Sequence, residues 1–213
     1  MKTDDLIAML SADVQPVDHR RTVRTIGAAV AAGAVVAVAV AVVALGLRSG
    51  LDDIWSVVSV LLKVAFAFAL LVPASIFLIR LARPGGERGT SLALLAFPFV
   101  AIVVVAAFSL ALAPRAHWSG MVAGRDWVEC ILSIPLIAIV PFAMLVWAVR
   151  RAAPTDLART GALVGMVAGC LSAAGYALHC VDDSVPFVAL WYGGTIALCT
   201  FAGWTLGPRL LRW

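Results

Sequence analysis

Residues 25–47 read Thr25-Ile-Gly-Ala-Ala-Val-Ala-Ala-Gly-Ala-Val-Val-Ala-Val-Ala-Val-Ala-Val-Val-Ala-Leu-Gly-Leu47, without one charged side chain. At about 1.5 Å per residue, a helix of this length crosses the roughly 30 Å hydrocarbon core of a bilayer. A soluble protein would have to bury such a run on every side. The rest of the chain cannot do that: of its 213 residues 63% are hydrophobic and 13% charged, whereas a soluble domain is about 45–50% apolar. Lipid is therefore the solvent this stretch is built for.

Working outward, five more runs have the same character: Ile54 to Ile79, Ser91 to Ala113, Glu129 to Val149, Thr160 to Leu178 and Phe187 to Leu206. The expected fold is all-α, an integral membrane six-helix bundle over 25–213, preceded by a short cytoplasmic amphipathic helix in 1–24. The first run starts some two dozen residues in, behind a segment holding Asp4, Asp5, Asp13 and Asp18, and is long enough to span, so it is expected to stay as an anchor and not to be removed as a signal peptide. Orientation follows from the basic residues. Lys2, Arg20, Arg21, Arg24, Arg80, Arg83, Arg88, Arg150, Arg151, Arg159, Arg209 and Arg212 fall on the side of the N-terminus, and only Arg48, Arg115 and Arg125 lie opposite. That excess places both termini in the cytoplasm. The net charge of +4 is thus a topology signal and not a nucleic-acid footprint. Pro73, Pro98, Pro135 and Pro141 can kink their spans, as prolines in membrane helices often do.

Residues 1–24 form the one sizeable soluble segment. Thr3 can cap a helix, Asp4 and Asp5 suit its positive end, and Leu6, Leu10 and Val14 recur every four residues beside Ile7 and Met9. Pro16 should end the helix near Val14. About three turns are marginal alone in water, so the stripe expects a partner. Thr3, Asp4, Leu6, Ile7, Leu10 and Val14 are the candidate partner-binding residues. The alternative is a helix lying on lipid, which acidic residues and few lysines disfavour.

The reactive groups gather in the polar island between the last two spans, Tyr176-Ala-Leu-His-Cys-Val-Asp-Asp-Ser184. The fourth and fifth spans flank the loop from Arg150 to Thr160. Cys130 precedes that loop and Cys180 follows it by equal numbers of residues, so both stand about 30 Å from it, at one level near the outer rim. Antiparallel neighbours joined by a short loop usually pack together, which allows the two thiols to meet. An impermeant maleimide is expected to reach them there. Glu129, His179, Asp182 and Asp183 are possible auxiliary ligands, with His117 and Asp126 in the preceding outer loop. Thiolate and imidazole bind soft or borderline metals, and in an oxidising compartment the thiols can instead join as a disulfide, functional or simply structural. Cys170 and Cys199 fall mid-span and read as packing.

Two further features carry open alternatives. Lys63, inside the second span, is either a functional intramembrane charge or a side chain that snorkels to the nearby rim. Gly161, Gly165 and Gly169 form a small-residue ladder that lets a helix approach closely. At 100° per residue Cys180 falls about 20° from Gly169, so the thiol extends that face if the helix persists so far.

With those residues in hand, the chain resembles the NrsF-like six-span anti-sigma factors of bacterial inner membranes. The resemblance runs over the whole chain: Met1-Lys-Thr-Asp-Asp-Leu-Ile7, Arg125-Asp-Trp-Val-Glu-Cys130, Tyr176-Ala-Leu-His-Cys-Val-Asp-Asp-Ser184, Leu190-Trp-Tyr192 and Gly207-Pro-Arg-Leu-Leu-Arg-Trp213. It implies a protein that holds an extracytoplasmic-function (ECF) sigma factor inactive and frees it under heavy-metal or oxidative stress. The family's sensing cysteines correspond to Cys130 and Cys180, and its partner-binding region to the N-terminal segment. No cofactor is required, and a heavy-metal ion enters only as a signal. The main alternative is a transporter or metal exporter, against which stand the scarcity of intramembrane ionisable residues and the lack of an inverted repeat. A thiol oxidoreductase would want a CxxC pair, and haem two well-placed histidines in the spans; neither is in the sequence. Nor does it hold an evident catalytic constellation, phosphate loop or nucleic-acid module.

Overall fold

The computed structural model describes residues 3–11, 19–49, 53–83, 86, 92–152 and 154–212. In chain order the helices are α1 (Thr3–Ser11), α2 (His19–Val40), α3 (Ile54–Leu81), α4 (Ala96–Leu112), α5 (Trp118–Ala123), α6 (Trp127–Arg150), α7 (Leu157–Tyr176), α8 (Val185–Phe187) and α9 (Gly193–Leu210). A π turn, Ala41–Leu45, ends α2, and a second, Val188–Tyr192, joins α8 to α9. No strand occurs among the described residues. Six helical segments are long and apolar enough to cross a membrane: Arg20–Leu45, Ile54–Leu81, Ala93–Leu112, Arg115–Arg150, Leu157–Tyr176 and Val185–Leu210. The outer surface of the bundle is correspondingly greasy, with Val35, Leu61, Phe97, Phe108, Leu136 and Phe201 all exposed, as lipid requires and water would penalise.

The first span starts earlier than apolarity alone suggests. Arg20, Arg21 and Arg24 belong to α2, because arginine is a good helix former whose long side chain can reach the headgroups from the last turns of a span. The segment before the fourth span is also more ordered than a loop, folding as a 3₁₀ turn, Arg115–His117, followed by α5.

Helix α7 is the hub, packed by α9, α3, α6 and α2. Its small residues explain why. Gly161 and Gly165 lie against the backbone of Gly203, Gly207 and Cys199 in α9, so closely that a methyl group on either would collide with a main-chain oxygen. The glycine ladder therefore does what its spacing suggests, and its partner is α9. The expectation that Cys180 extends this face is corrected. The helix ends at Tyr176 and passes into a turn, where Leu178 N–H bonds Gly175 O and the N–H groups of His179 and Cys180 both bond Tyr176 O, so the regular helix that the angle presupposed does not persist to Cys180. On the opposite flank α2 packs on α6 and α7, with Gly33 against Pro141 and Leu171, and Gly175 against the Ala37 carbonyl.

The bundle has two chemically distinct ends. At one, called here the terminal end, Arg24 and Arg151 line a common groove and Arg150 donates to the Arg212 carbonyl. At the other, the cysteine end, α2 finishes, α3 and α6 begin, and the 177–184 segment crosses between them.

Candidate functional site

Cys130 sits in the first turn of α6, and Cys180 lies on the segment that follows α7. What brings them together is a set of backbone locks. The carboxylate of Asp182 accepts from the N–H groups of Arg125 and Asp126, both at 2.9 Å, and so fastens the segment to the start of α6. Just before it, Gly124 adopts φ of 63°, and a Cβ there would run into the Phe187 ring and the Asp182 carboxylate; only glycine meets both demands. Ser184 caps α8 by accepting from Phe187 N–H, and its own hydroxyl donates to Met121 O.

The result is a closed chamber for two free thiols. Cys130 is 0% and Cys180 1% exposed; the two side chains lie close enough to influence each other's ionisation, and the Cys180 thiol donates to Asp182 O at 3.8 Å. The phenols of Tyr176 and Tyr192 lie beside the pair, and neither buried hydroxyl has a hydrogen-bond partner. Trp127 and Trp191 stack beside the chamber with ring centroids 5.3 Å apart, and Trp191 is anchored by its indole N–H to Val122 O at 2.8 Å. The shared level expected from chain counting is thus observed, and the lateral approach with it. The expectation that an impermeant maleimide reaches the thiols is corrected: both lie at the rim but are buried. A cleft of about 480 Å³, lined by His117, Ser119, Asp182, Asp183 and Ser184 among others, brings solvent to the next residues along.

The charges around the pair are arranged asymmetrically. Lys63 is completely buried, and its ammonium donates to Cys180 O and to the Asp183 carboxylate, each at 3.0 Å. Arg48, 8% exposed, grips the same carboxylate with both terminal nitrogens, at 2.8 and 3.0 Å, and also donates to Cys180 O at 3.2 Å. Burial alone would push the Asp183 carboxyl up; the two cations more than reverse this and hold it below the usual carboxylate range. Two cations against one carboxylate leave an excess positive charge facing Cys180. Its thiol is pulled down to about 6, first by the hydrogen bond available from the Cys130 thiol and then, against the cost of burial, by Lys63. The snorkelling reading of Lys63 is therefore replaced by an engaged one.

The other acidic and imidazole candidates are spoken for. Asp182 and Asp183 serve the backbone and the cations, His179 Nδ1 pairs with Gly46 O at 3.1 Å, and His179 Nε2 lies 3.7 Å from Glu129, which is exposed. Among the described residues no three His, Cys, Asp or Glu side chains converge on one point that would hold a metal ion. Cys170 and Cys199 are buried mid-span as packing. In the N-terminal segment, Thr3, Asp5, Ile7 and Met9 are exposed on α1, with Ile7 at 59%. The side chains of Asp4, Leu6 and Leu10 and the whole of Val14 lie outside the described residues. Sequence reasoning gave Arg48 no role beyond topology and singled out neither tyrosine for its hydroxyl. An arginine just past a span's end, directly before the polar break at Ser49, was the available signal for the first.

Six helices long and apolar enough to cross a bilayer, with the buried thiols and charges gathered at one end, define a multi-pass membrane protein. The chain belongs to the family described as "Negative regulator of sigma F", whose model matches residues 10–213. It is 30% identical, over the full length of both proteins, to the probable anti-sigma-F factor NrsF of Azospira oryzae, and 29% identical, again over both full lengths, to the anti-sigma-F factor NrsF of Caulobacter vibrioides. No solved structure matches it.

Proposed function

We propose that this protein is an inner-membrane anti-sigma factor, not an enzyme, which holds a sigma factor of the ECF class through its N-terminal segment and frees it when Cys130 and Cys180 change state. The observation that carries the sensing half of this reading is the burial of the two free thiols side by side beneath an excess of positive charge. The family and the names of the relatives support the anti-sigma half. The basic terminal end supports a topology with both termini in the cytoplasm and the cysteine end in the periplasm.

Two stimuli suit the chamber. A soft divalent cation can bind both sulfurs and release their two protons. A small oxidant can take two electrons from the thiols, which form one S–S bond as their two protons leave. Moving the sigma factor from almost fully bound to almost fully free requires about 5.5 kcal/mol of preference for the releasing state, within the range that dithiolate ligation or a disulfide supplies. Cys130→Ser and Cys180→Ser should each retain repression of sigma-dependent transcription and lose its induction by cadmium. Normal induction in both variants would refute the sensor.

A further inference from the structure

The sulfur pair lies at the far end of the bundle from the N-terminal segment, so the sensor reading needs a path between them. Five spans meet at the chamber, α3 bringing Lys63 and the last span Tyr192, and three of them continue the chain segments that hold the cysteines or Arg48. Helix α7 is held against α9 by interlocked glycine backbones and is 72% buried over its apolar window, which leaves it no room to shift alone. Helix α6 carries Cys130, but chain connectivity leads it to the Arg150 side and on into α7. Helix α2 is only 22% buried over its window, and it alone continues, at its other end, from the N-terminal segment.

The end of α2 is also where the cysteine segment is most heavily tied. Arg48 N–H donates to Leu178 O at 3.0 Å, His179 Nδ1 meets Gly46 O, and the Arg48 guanidinium holds both Cys180 O and Asp183. Lys63 closes the knot from α3 on the same two acceptors. Directly before Arg48 comes the π turn Ala41–Leu45. A π turn holds an extra residue in the helical ladder and recurs at functional sites, and absorbing it would turn the rest of the span by about 100°.

We propose that Arg48, supported by Lys63, is the relay of the sensor: it couples the backbone of Cys180 to the end of α2, so that a change at the sulfurs moves the first span and, through it, the partner-binding segment. This rests on the sensor reading above. Arg48 and Lys63 are positioning residues and need not touch the stimulus. Placing the Cys130 and Cys180 sulfurs around a cation shifts the short segment that carries both the Cys180 carbonyl and the Asp183 carboxylate. The guanidinium is bonded to both acceptors and follows them.

The test uses the full-length protein in nanodiscs, with ketone-bearing residues at Val23 and Leu210 carrying spin labels, so that the native cysteines stay free. Cadmium is the probe, its uptake measured per protein, and the distance between labels is read by pulsed electron resonance. In the parent protein cadmium should be taken up through the two cysteines and the distance should change by about 2 Å or more, the scale of a helix shift. At cadmium sufficient to load both cysteines in every variant, Arg48→Gln should lose the change; Arg48→Lys should restore it at least in part; Lys63→Met should reduce it. A full distance change in Arg48→Gln with normal uptake would overturn the relay while leaving the sensor intact. Absence of uptake in the parent protein would remove the sensor, and the relay with it.

Discussion

The ammonium of Lys63 donates a 3.0 Å hydrogen bond to the carbonyl oxygen of Cys180, 117 positions further along the chain. A completely buried ammonium inside an apolar bundle is costly unless paired and hydrogen-bonded. Here it is paired with Asp183 and directed at the backbone of a cysteine, which makes the charge part of the thiol's environment. Lys63→Met keeps the length and removes the charge. The pH at which Cys180 becomes reactive toward a small thiol reagent such as methyl methanethiosulfonate should lie below the ordinary thiol value of about 8.5 in the parent protein and rise in the variant. Peptide mass spectrometry across pH 5 to 9 reads it, and an unmoved midpoint would show that Lys63 does not tune the thiol.

Asp183 gives the complementary prediction. Its carboxyl is held low by Arg48 and Lys63 despite burial, so the folded state binds its proton less tightly than the unfolded chain does. For a depressed acid, the stabilisation is present above the unfolded value of about 4 and is lost as pH falls through the lower folded value. Thermal stability in detergent should therefore hold from pH 7 to about 4 and decline below it. Asp183→Asn leaves two buried cations without their anion, which costs roughly 3–5 kcal/mol at neutral pH, and this variant should no longer show the acid-dependent loss. An equally steep acid decline in Asp183→Asn would assign the effect to other carboxylates.

Burial of the thiols predicts selectivity by size. Cadmium or a small oxidant should react with Cys130 and Cys180 in the folded protein, whereas a bulky impermeant maleimide should label them far more slowly until the protein is unfolded. Rapid maleimide labelling of the parent protein would mean that the chamber stands open.

The spans and the common level of the two cysteines were legible in the sequence for the same reason: the rise per residue of a helix is constant, so lengths and heights follow from counting. Rotation is less forgiving. Where α7 stops depends on bonds that Gly175 and Tyr176 accept and on Arg48 capturing Leu178 O, and a stop a few residues before Cys180 voids any helical angle assigned to it. The partner of the glycine face was hidden because Gly203 and Gly207 gain meaning only once α9 is laid against Gly161 and Gly165. Arg48 was read through its charge alone, since its acceptor at Asp183 lies 135 positions away and no local pattern marks such a pair.

For the N-terminal segment, Leu6→Asp and Leu10→Asp place charge on the stripe expected to meet the sigma factor. An apolar anchor at such an interface is worth about 2 kcal/mol or more, roughly thirty-fold in affinity. Both variants should insert in the membrane normally and lose the sigma factor in a pull-down from detergent extract. Undiminished capture would move the contact to the loops at the terminal end, around Arg83 and Arg151.

The α7–α9 joint is a rigid frame in this account, and that too can be checked on a single helix. A methyl group added at Gly203 would strike the carbonyl oxygen of Gly161 and the backbone of Gly165, whereas one at Gly194 has nothing within 4 Å. Main chain cannot give way as a flexible side chain does, so Gly203→Ala should cost at least about 1–3 kcal/mol, visible as a lowered unfolding midpoint, while Gly194→Ala should leave it nearly unchanged. The same pair separates frame from relay. If the joint only supports the bundle, Gly203→Ala protein that remains folded at low temperature should still answer cadmium with a shift of α2. If it answered with none while binding the metal normally, the signal would be travelling down the glycine face, and Arg48 would be a bystander.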